Sequence, residues 1–480
     1  MQTQERMQSA CQEKLSANQS SKSIFGIQLG RRTNSVRRQT GTVVRFCAHR
    51  FSEIAMILAV LAVLLGVLVL TGCDQTRRGR VGPPVATIEI DTVRWTGFSA
   101  PADLAITGAL RAMTAEQVAS QMIIVDVATV LAHPSLQPGA VVLFSDDFGS
   151  VAATVALTSR LHDAAGIPPF VATDVEGGTV DRLFSSGLPA TRIPAASRVA
   201  RSLAAKDDEE AARMAEALGR VIGTELRALG ISMDFAPVAD LAAPGSRGAI
   251  GAYYRSYGTD PERVATIVGS MVRGMQASGV ASVTKHFPGH GVATGDSHDG
   301  VAVLDRTLAQ LRASELVPFR AVVEEDVAGI MTAHVTVPGL TSTSIPATLS
   351  AEIMVDLLRR EVGHVGLVVT DALNMGALAN GVGGISYQGQ AAVESICAGA
   401  DMILLPSDTC VVRDAIVDAI GRGTLSRTQV AESIRRILEA KIRFAVAGPG
   451  HQTTVGEAAE VLGSADHRAI SRSLGGGTEE

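Results

Sequence analysis

Residues 285–300 read KHFPGHGVATGDSHDG and gather three His, one Lys, two Asp and four Gly, in a chain of 480 residues that has ten His and five Lys in all. Such a set offers two kinds of chemistry: moving a proton near neutral pH, and gripping a polar substrate. Asp296 and His298 stand two residues apart in a Gly-rich stretch. A carboxylate bonded to an imidazole fixes its tautomer and favours its protonated form. His298 could then donate a proton and retrieve it. The same spacing also serves to brace a loop. Lys285 and His286 follow the apolar run Gly279-Val-Ala-Ser-Val-Thr284 with no apolar reason to be there, whereas His290, in a Pro-Gly-His-Gly turn, suits a role in loop shape.

Other polar residues follow apolar runs elsewhere. Asp371 ends Gly366-Leu-Val-Val-Thr370 and reads as a nucleophile, a metal ligand or a helix cap. Asp174 lies in Thr173-Asp-Val-Glu-Gly-Gly178, where a Gly pair either admits a ligand close to the backbone or simply turns the chain. Arg255, in Tyr253-Tyr-Arg-Ser-Tyr-Gly-Thr-Asp-Pro261, reads on its own as a surface residue. A zinc hydrolase would draw on His286, His298, His334 and Asp371, but these lack tight metal-ligand spacing.

The elements that must position these residues alternate. Strand patterns fall at Met122–Val127, Ala140–Phe144, Pro169–Thr173, Ser232–Ala236, Ala281–Thr284, Gly329–Thr332, Gly366–Thr370 and Met402–Leu405. Between them, Thr114/Gln117, Thr259/Glu262, Thr307/Gln310 and Ser426/Gln429 fit the capping-box spacing at helix starts. Continuous apolar strands alternating with helices imply a parallel sheet. Eight repeats predict an α/β fold, a (β/α)8 TIM barrel forming a single catalytic domain over residues 100–446. A doubly wound open sheet is the alternative, without a GxGxxG after the first strand to support it. In a barrel, residues just past the strands converge at the C-terminal mouth.

Net charge is −6, which argues against a nucleic-acid binder as a whole, and the 4% aromatic content argues against a wide aromatic sugar groove. The five Cys form no CxxC pair, and Cys397 and Cys410 fit either a disulfide or two free thiols. Residues 1–50 carry nine Lys/Arg against two Glu, and the apolar run Ile54–Leu70 ends in Leu70-Thr-Gly-Cys73. A basic flank, an apolar core and a small-residue exit make an export signal over 1–73. The ending resembles a bacterial lipobox, which implies lipidation at Cys73 and anchoring at the cell membrane on the extracytoplasmic side. The 17-residue run also suits a plain membrane anchor. Residues 74–99 read as a tether and 447–480 as a flexible tail.

Taken in order, Asp174-Val-Glu-Gly-Gly, Phe235-Ala-Pro-Val-Ala-Asp240, Arg255-Ser-Tyr-Gly-Thr-Asp-Pro261, KHFPGHG with GDSH, and Thr370-Asp-Ala-Leu-Asn-Met resemble the β-N-acetylhexosaminidases of glycoside hydrolase family 3 across about residues 110–440. The resemblance implies a TIM barrel and a retaining mechanism with Asp371 as nucleophile. It implies an Asp296–His298 dyad as acid/base, and Asp174, Arg182, Arg255, Lys285 and His286 around the sugar. Two positions depart from the family pattern: Thr179 stands where Arg is common, and Ala372 where a second acid is common. The β-glucosidase branch adds a second domain bearing an acid/base Glu; the short stretch after the final barrel helix leads us to expect the His dyad instead.

The expected activity is retaining exo-β-N-acetylglucosaminidase action on terminal GlcNAc of peptidoglycan fragments or related glycans. No cofactor or metal is called for. The partners are the carbohydrate substrate and, through the lipid anchor, the membrane. The alternatives are a GlcNAc phosphorylase using the same covalent intermediate, since a His acid/base tolerates anionic phosphate, and an inactive sugar-binding lipoprotein.

Overall fold

A computed structural model describes residues 100–295, 300, 302–341, 345–379, 388–444, 446 and 453–477. The described residues all belong to the unit Ala59–Glu480. The export signal, the tether and Cys73 lie outside the described residues. Among the described residues no helix is long and apolar enough to cross a membrane.

Eight parallel strands make a barrel-like sheet: β1 (Ile123–Asp126), β2 (Ala140–Val142), β3 (Phe170–Thr173), β4 (Met233–Asp234), β5 (Ala281–Phe287), β6 (Gly329–Thr332), β7 (Leu367–Thr370) and β8 (Ile403–Leu404). Each pairs with its successor as far as β7, β8 pairs with β1, and a parallel bridge between Val369 and Met402 joins β7 to β8. All eight expected strands are therefore present. They are apolar on both faces because side chains fill the barrel inside and helices cover it outside.

The outer helices follow from local signals. Thr114/Gln117 and Thr307/Gln310 form reciprocal capping boxes, and the Ser426 hydroxyl accepts from the N–H of Gln429. Thr259 does not cap its helix. Asp260 does, accepting from Glu262 and Arg263, because Pro261 occupies the first helical position and the cap must directly precede it. Strand β5 packs onto the helix Leu316–Glu324, with Phe287 and Phe319 edge to face at 5.2 Å. Burying an aromatic or a Leu of this kind contributes about 1.5–3 kcal/mol.

Two expectations need correction or resolution. The stretch after 447 is not a flexible tail throughout. Helices Val455–Val461 and Ala465–Ser473 fold there, capped by Thr454 and Ser464. Ala458, Leu462 and Leu474 are buried, so a few apolar residues and good caps suffice where composition suggested disorder. Cys397 and Cys410 are not joined in a disulfide.

Candidate active site

Asp371 directly follows β7. Its N–H donates to the carbonyl of Thr332 at the end of β6 (3.0 Å), and its Oδ1 accepts the N–H of Ala372 (2.8 Å). The carboxylate therefore meets its own neighbour's amide and does not cap the helix Gly376–Ala379. Burial alone would raise its pKa. The His286 charge foremost, with His334, the Ala372 amide and Lys285, outweighs burial and holds the group below the usual carboxylate range. The result is an ionised, sheltered carboxylate at the barrel mouth, the state a nucleophile needs.

His334, just past β6, braces this group. Its Nε2 lies 3.0 Å from the carbonyl of Ala372 and its Nδ1 2.9 Å from the Thr348 hydroxyl. A carbonyl only accepts, so Nε2 carries the hydrogen. Burial keeps the imidazole below its ordinary pKa. Ala372, one of the two departures from the family pattern, thus touches Asp371 through its amide and His334 through its carbonyl.

Strand β5 supplies two adjacent residues. Its register against β6 shifts between Lys285 and Phe287, an irregularity of the kind that re-aims side chains. Lys285 Nζ sits 2.7 Å from Asp174 Oδ1 and 2.7 Å from Glu176 Oε1. Although burial opposes the charge, Asp174 and Glu176 hold the ammonium pKa above its usual value. His286 Nδ1 lies 2.6 Å from Asp240 Oδ2, while Asp240 Oδ1 accepts the N–H of His290 (2.5 Å). Asp240 therefore ties the Phe235–Asp240 segment to the loop that follows β5. Burial would raise its pKa, but His286 and His290 hold it lower.

Arg255 reaches Glu176 with two parallel bonds, Nε to Oε2 at 2.7 Å and Nη2 to Oε1 at 2.8 Å, and donates Nη1 to the Ala249 carbonyl (3.1 Å). Glu176 is the hub that sequence reading missed. Burial alone would raise its pKa, but Arg255 and Lys285 drive it far below the usual range. The signal was present: Asp174 and Glu176 are two apart in an extended segment, so both side chains leave the same face. Arg182 lies close by, its N–H donating to the Asp174 carbonyl (3.1 Å) and its guanidinium 5.7 Å from the Phe144 ring centroid. Its Nε is buried without a protein acceptor. A second missed acid, Asp234 in β4, is buried with Oδ1 on the Val175 N–H (2.8 Å). Burial, then the neighbouring Asp174 and Glu176, raise its pKa well above the usual carboxylate range.

The structure thus joins Lys285 and Arg255 through Glu176, with Asp174 bonded to Lys285, and sets His286, His334 and Asp371 in mutual electrostatic contact. Thr179 is exposed at the rim. Asp296 and His298 lie outside the described residues. The base of their segment is described: Thr294 and Val303 exchange both backbone hydrogen bonds at 2.9 Å. Among the described residues no cluster of His, Cys, Asp and Glu is gathered as a metal site.

A parallel α/β barrel with an ionised carboxylate at its C-terminal mouth, ringed by imidazoles, an ammonium and guanidinium groups, is the frame of a barrel enzyme acting on a polar substrate. The chain belongs to glycosyl hydrolase family 3, its residues 113–440 matching the family's N-terminal domain. It is 38% identical over 277 residues to the β-hexosaminidase of Alkalilimnicola ehrlichii, a match covering 58% of this chain and 75% of that one. It is 30% identical over 361 residues to β-hexosaminidase A of Pseudoalteromonas piscicida, covering 70% of this chain but only 58% of that longer relative. Among solved structures, the family 3 β-N-acetylglucosaminidase from Paenibacillus sp. str. FPU-7 superposes with a TM-score of 0.66 at 31% identity, covering 75% of this chain and 68% of that one.

Proposed function

We propose that this protein is a retaining exo-β-N-acetylglucosaminidase that releases terminal β-linked GlcNAc from peptidoglycan fragments or related glycans. The observation that carries the reading is Asp371: buried, yet held ionised by the cationic and imidazole groups around it. The names of the related β-hexosaminidases supply the substrate class. Asp371 attacks the anomeric carbon while His298, oriented by Asp296, protonates the departing glycosidic oxygen. The bond to the aglycone breaks and a glycosyl ester forms. Neutral His298 then takes a proton from water, which attacks the same carbon and frees Asp371, so two inversions give net retention. A His donor avoids setting a second carboxylate about 5 Å from the first.

Asp174, Arg182, Arg255, Lys285 and His286 hold the sugar hydroxyls and the acetamido group in this reading. Their prearranged ion pairs leave little to reorganise when substrate arrives. The enzyme is lipid-anchored at Cys73 and works on the extracytoplasmic side of the membrane. Proton NMR of hydrolysis of an aryl β-GlcNAc substrate tests the mechanism. The β anomer should appear first and Asp371→Ala should abolish turnover; an α anomer as first product overturns the nucleophile assignment.

A further inference from the structure

Residues 453–477 lie beyond the family match, yet their contacts lead step by step to the loop that carries Asp174, Glu176 and Arg182. The buried carboxylate of Glu225, on the helix Asp208–Ala228, receives four donors. Two come from the C-terminal hairpin: the N–H of Gly463 and Nδ1 of His467, each 2.9 Å from Oε1. Two come from Thr191: its hydroxyl at 2.6 Å and its N–H at 2.8 Å. The Ser471 hydroxyl adds a bond to the Arg192 carbonyl (2.5 Å). The approach is close, since a Cβ at Gly463 would stand 2.2 Å from the Pro189 carbonyl oxygen.

The next residue, Ile193, passes this constraint on. Its N–H donates to Asp181 Oδ2 (3.1 Å) and its carbonyl accepts from Gly178 (2.9 Å). Asp181 also accepts the N–H of Phe184 (3.1 Å) and so starts the short helix Arg182–Ser185. A Cβ at Gly177 would lie 2.4 Å from the Pro194 carbonyl oxygen. Glu176 immediately precedes Gly177. The loop's two consecutive left-handed glycines, Gly177 and Gly178, give it conformational freedom that something outside it must remove.

We infer that the C-terminal hairpin, acting through Glu225, is the positioning element for the 174–193 loop and sets Glu176 and Arg182 for binding the sugar. The inference rests on the reading of that loop as part of the sugar site. Half of the donors to the Glu225 carboxylate come from the hairpin, so without it the carboxylate is buried half-satisfied and Thr191 loses its fixed partner.

The test uses the full chain carrying His467→Ala with Ser471→Ala, Glu225→Ala, and the conservative Glu225→Gln. Hydrogen–deuterium exchange of residues 176–193 is read alongside KM and kcat on an aryl β-GlcNAc. The expected result for the double variant and for Glu225→Ala is faster exchange at 177–182, and a KM raised roughly ten-fold, the scale seen for outer-shell partners, with kcat little changed. Glu225→Gln, which keeps an acceptor, recovers part of the KM. A merely structural role would lower the amount of active enzyme and leave KM alone. Unchanged exchange, or an unchanged KM in a folded variant, overturns the inference. Ser471→Ala alone replaces the double variant if that one does not fold. If the unaltered protein does not turn over the aryl substrate, the functional reading has failed, and exchange at 177–182 still decides the role of the hairpin.

Discussion

Glu176 and Arg255 face each other through two parallel hydrogen bonds of 2.7 and 2.8 Å, both side chains nearly removed from solvent. Lys285 shares the same carboxylate. Removing one member of a buried pair leaves an uncompensated charge, at a cost of roughly 3–5 kcal/mol. Glu176→Ala should therefore lower the unfolding free energy by that amount, read as a lower urea midpoint at an unchanged m-value. Arg255→Lys keeps the charge but not the planar fork, so it should fold and bind the sugar more weakly, seen as a raised KM. A Glu176→Ala protein as stable as the parent would mean that the pair adds nothing beyond packing.

The site illustrates what the sequence discloses and what it withholds. The eight strands were legible because apolar runs bounded by polar residues are a local signal. From the sequence, strand β5 ends at Thr284, because Lys285 and His286 break the apolar run. Their burial depends on Asp174, Glu176 and Asp240, which only the fold brings near. Glu176 was passed over since Val-Glu-Gly-Gly reads as a turn, and its partner Arg255 lies 79 residues away. The C-terminal helices are hard to read from sequence for a related reason: they dock by hydrogen bonds to Glu225 and a few apolar residues, a long-range pairing that hydropathy does not register.

Cys73 supplies a prediction that separates lipid anchoring from a plain apolar anchor. If the segment ending Leu70-Thr-Gly-Cys73 is a lipobox, Cys73→Ser abolishes lipidation and leaves an unprocessed precursor. Mass spectrometry of the membrane fraction should find a diacylglyceryl thioether on Cys73 of the parent protein. A mature mass unchanged by Cys73→Ser would favour the plain anchor.

Lys441 offers a test of stability that does not involve the active site. It is 1% exposed, donates to Gln121 Oε1 at 2.6 Å and lies 5.9 Å from the Phe170 ring centroid. Burial pushes its ammonium pKa down to about 7. The unfolded chain, with an ordinary Lys pKa of about 10.4, binds this proton more tightly. Stability should therefore rise with pH between about 7 and 10, by up to roughly 1.4 kcal/mol per unit, and be insensitive to this group below that window. Lys441→Met removes the slope. The difference in urea midpoint between parent and variant, followed from pH 6 to 10, should be flat at first and then change in favour of the parent. A constant difference throughout would show that the amine keeps an ordinary pKa.

The pH dependence of catalysis follows from the Asp371 environment. As the proposed nucleophile Asp371 must be ionised, and its folded-state pKa is depressed, with His286 the foremost of the groups that outweigh burial. Activity limited by Asp371 is thus fully present above the ordinary Asp pKa of about 3.9 and is lost only as pH falls through the lower folded value. In the proposed mechanism the alkaline limb belongs to His298, which must be protonated to release the aglycone. Asp296→Asn removes the carboxylate that favours the imidazolium and should move that limb to lower pH. Asp371→Asn should lower kcat on the order of 10⁴-fold or more at every pH. His286→Gln takes away the largest opposing charge and should shift the acid limb upward. These outcomes are read from kcat/KM against pH on the aryl substrate. An acid limb in the parent that lies well above about pH 5 would assign it to another group, since a carboxylate surrounded as Asp371 is does not hold its proton there.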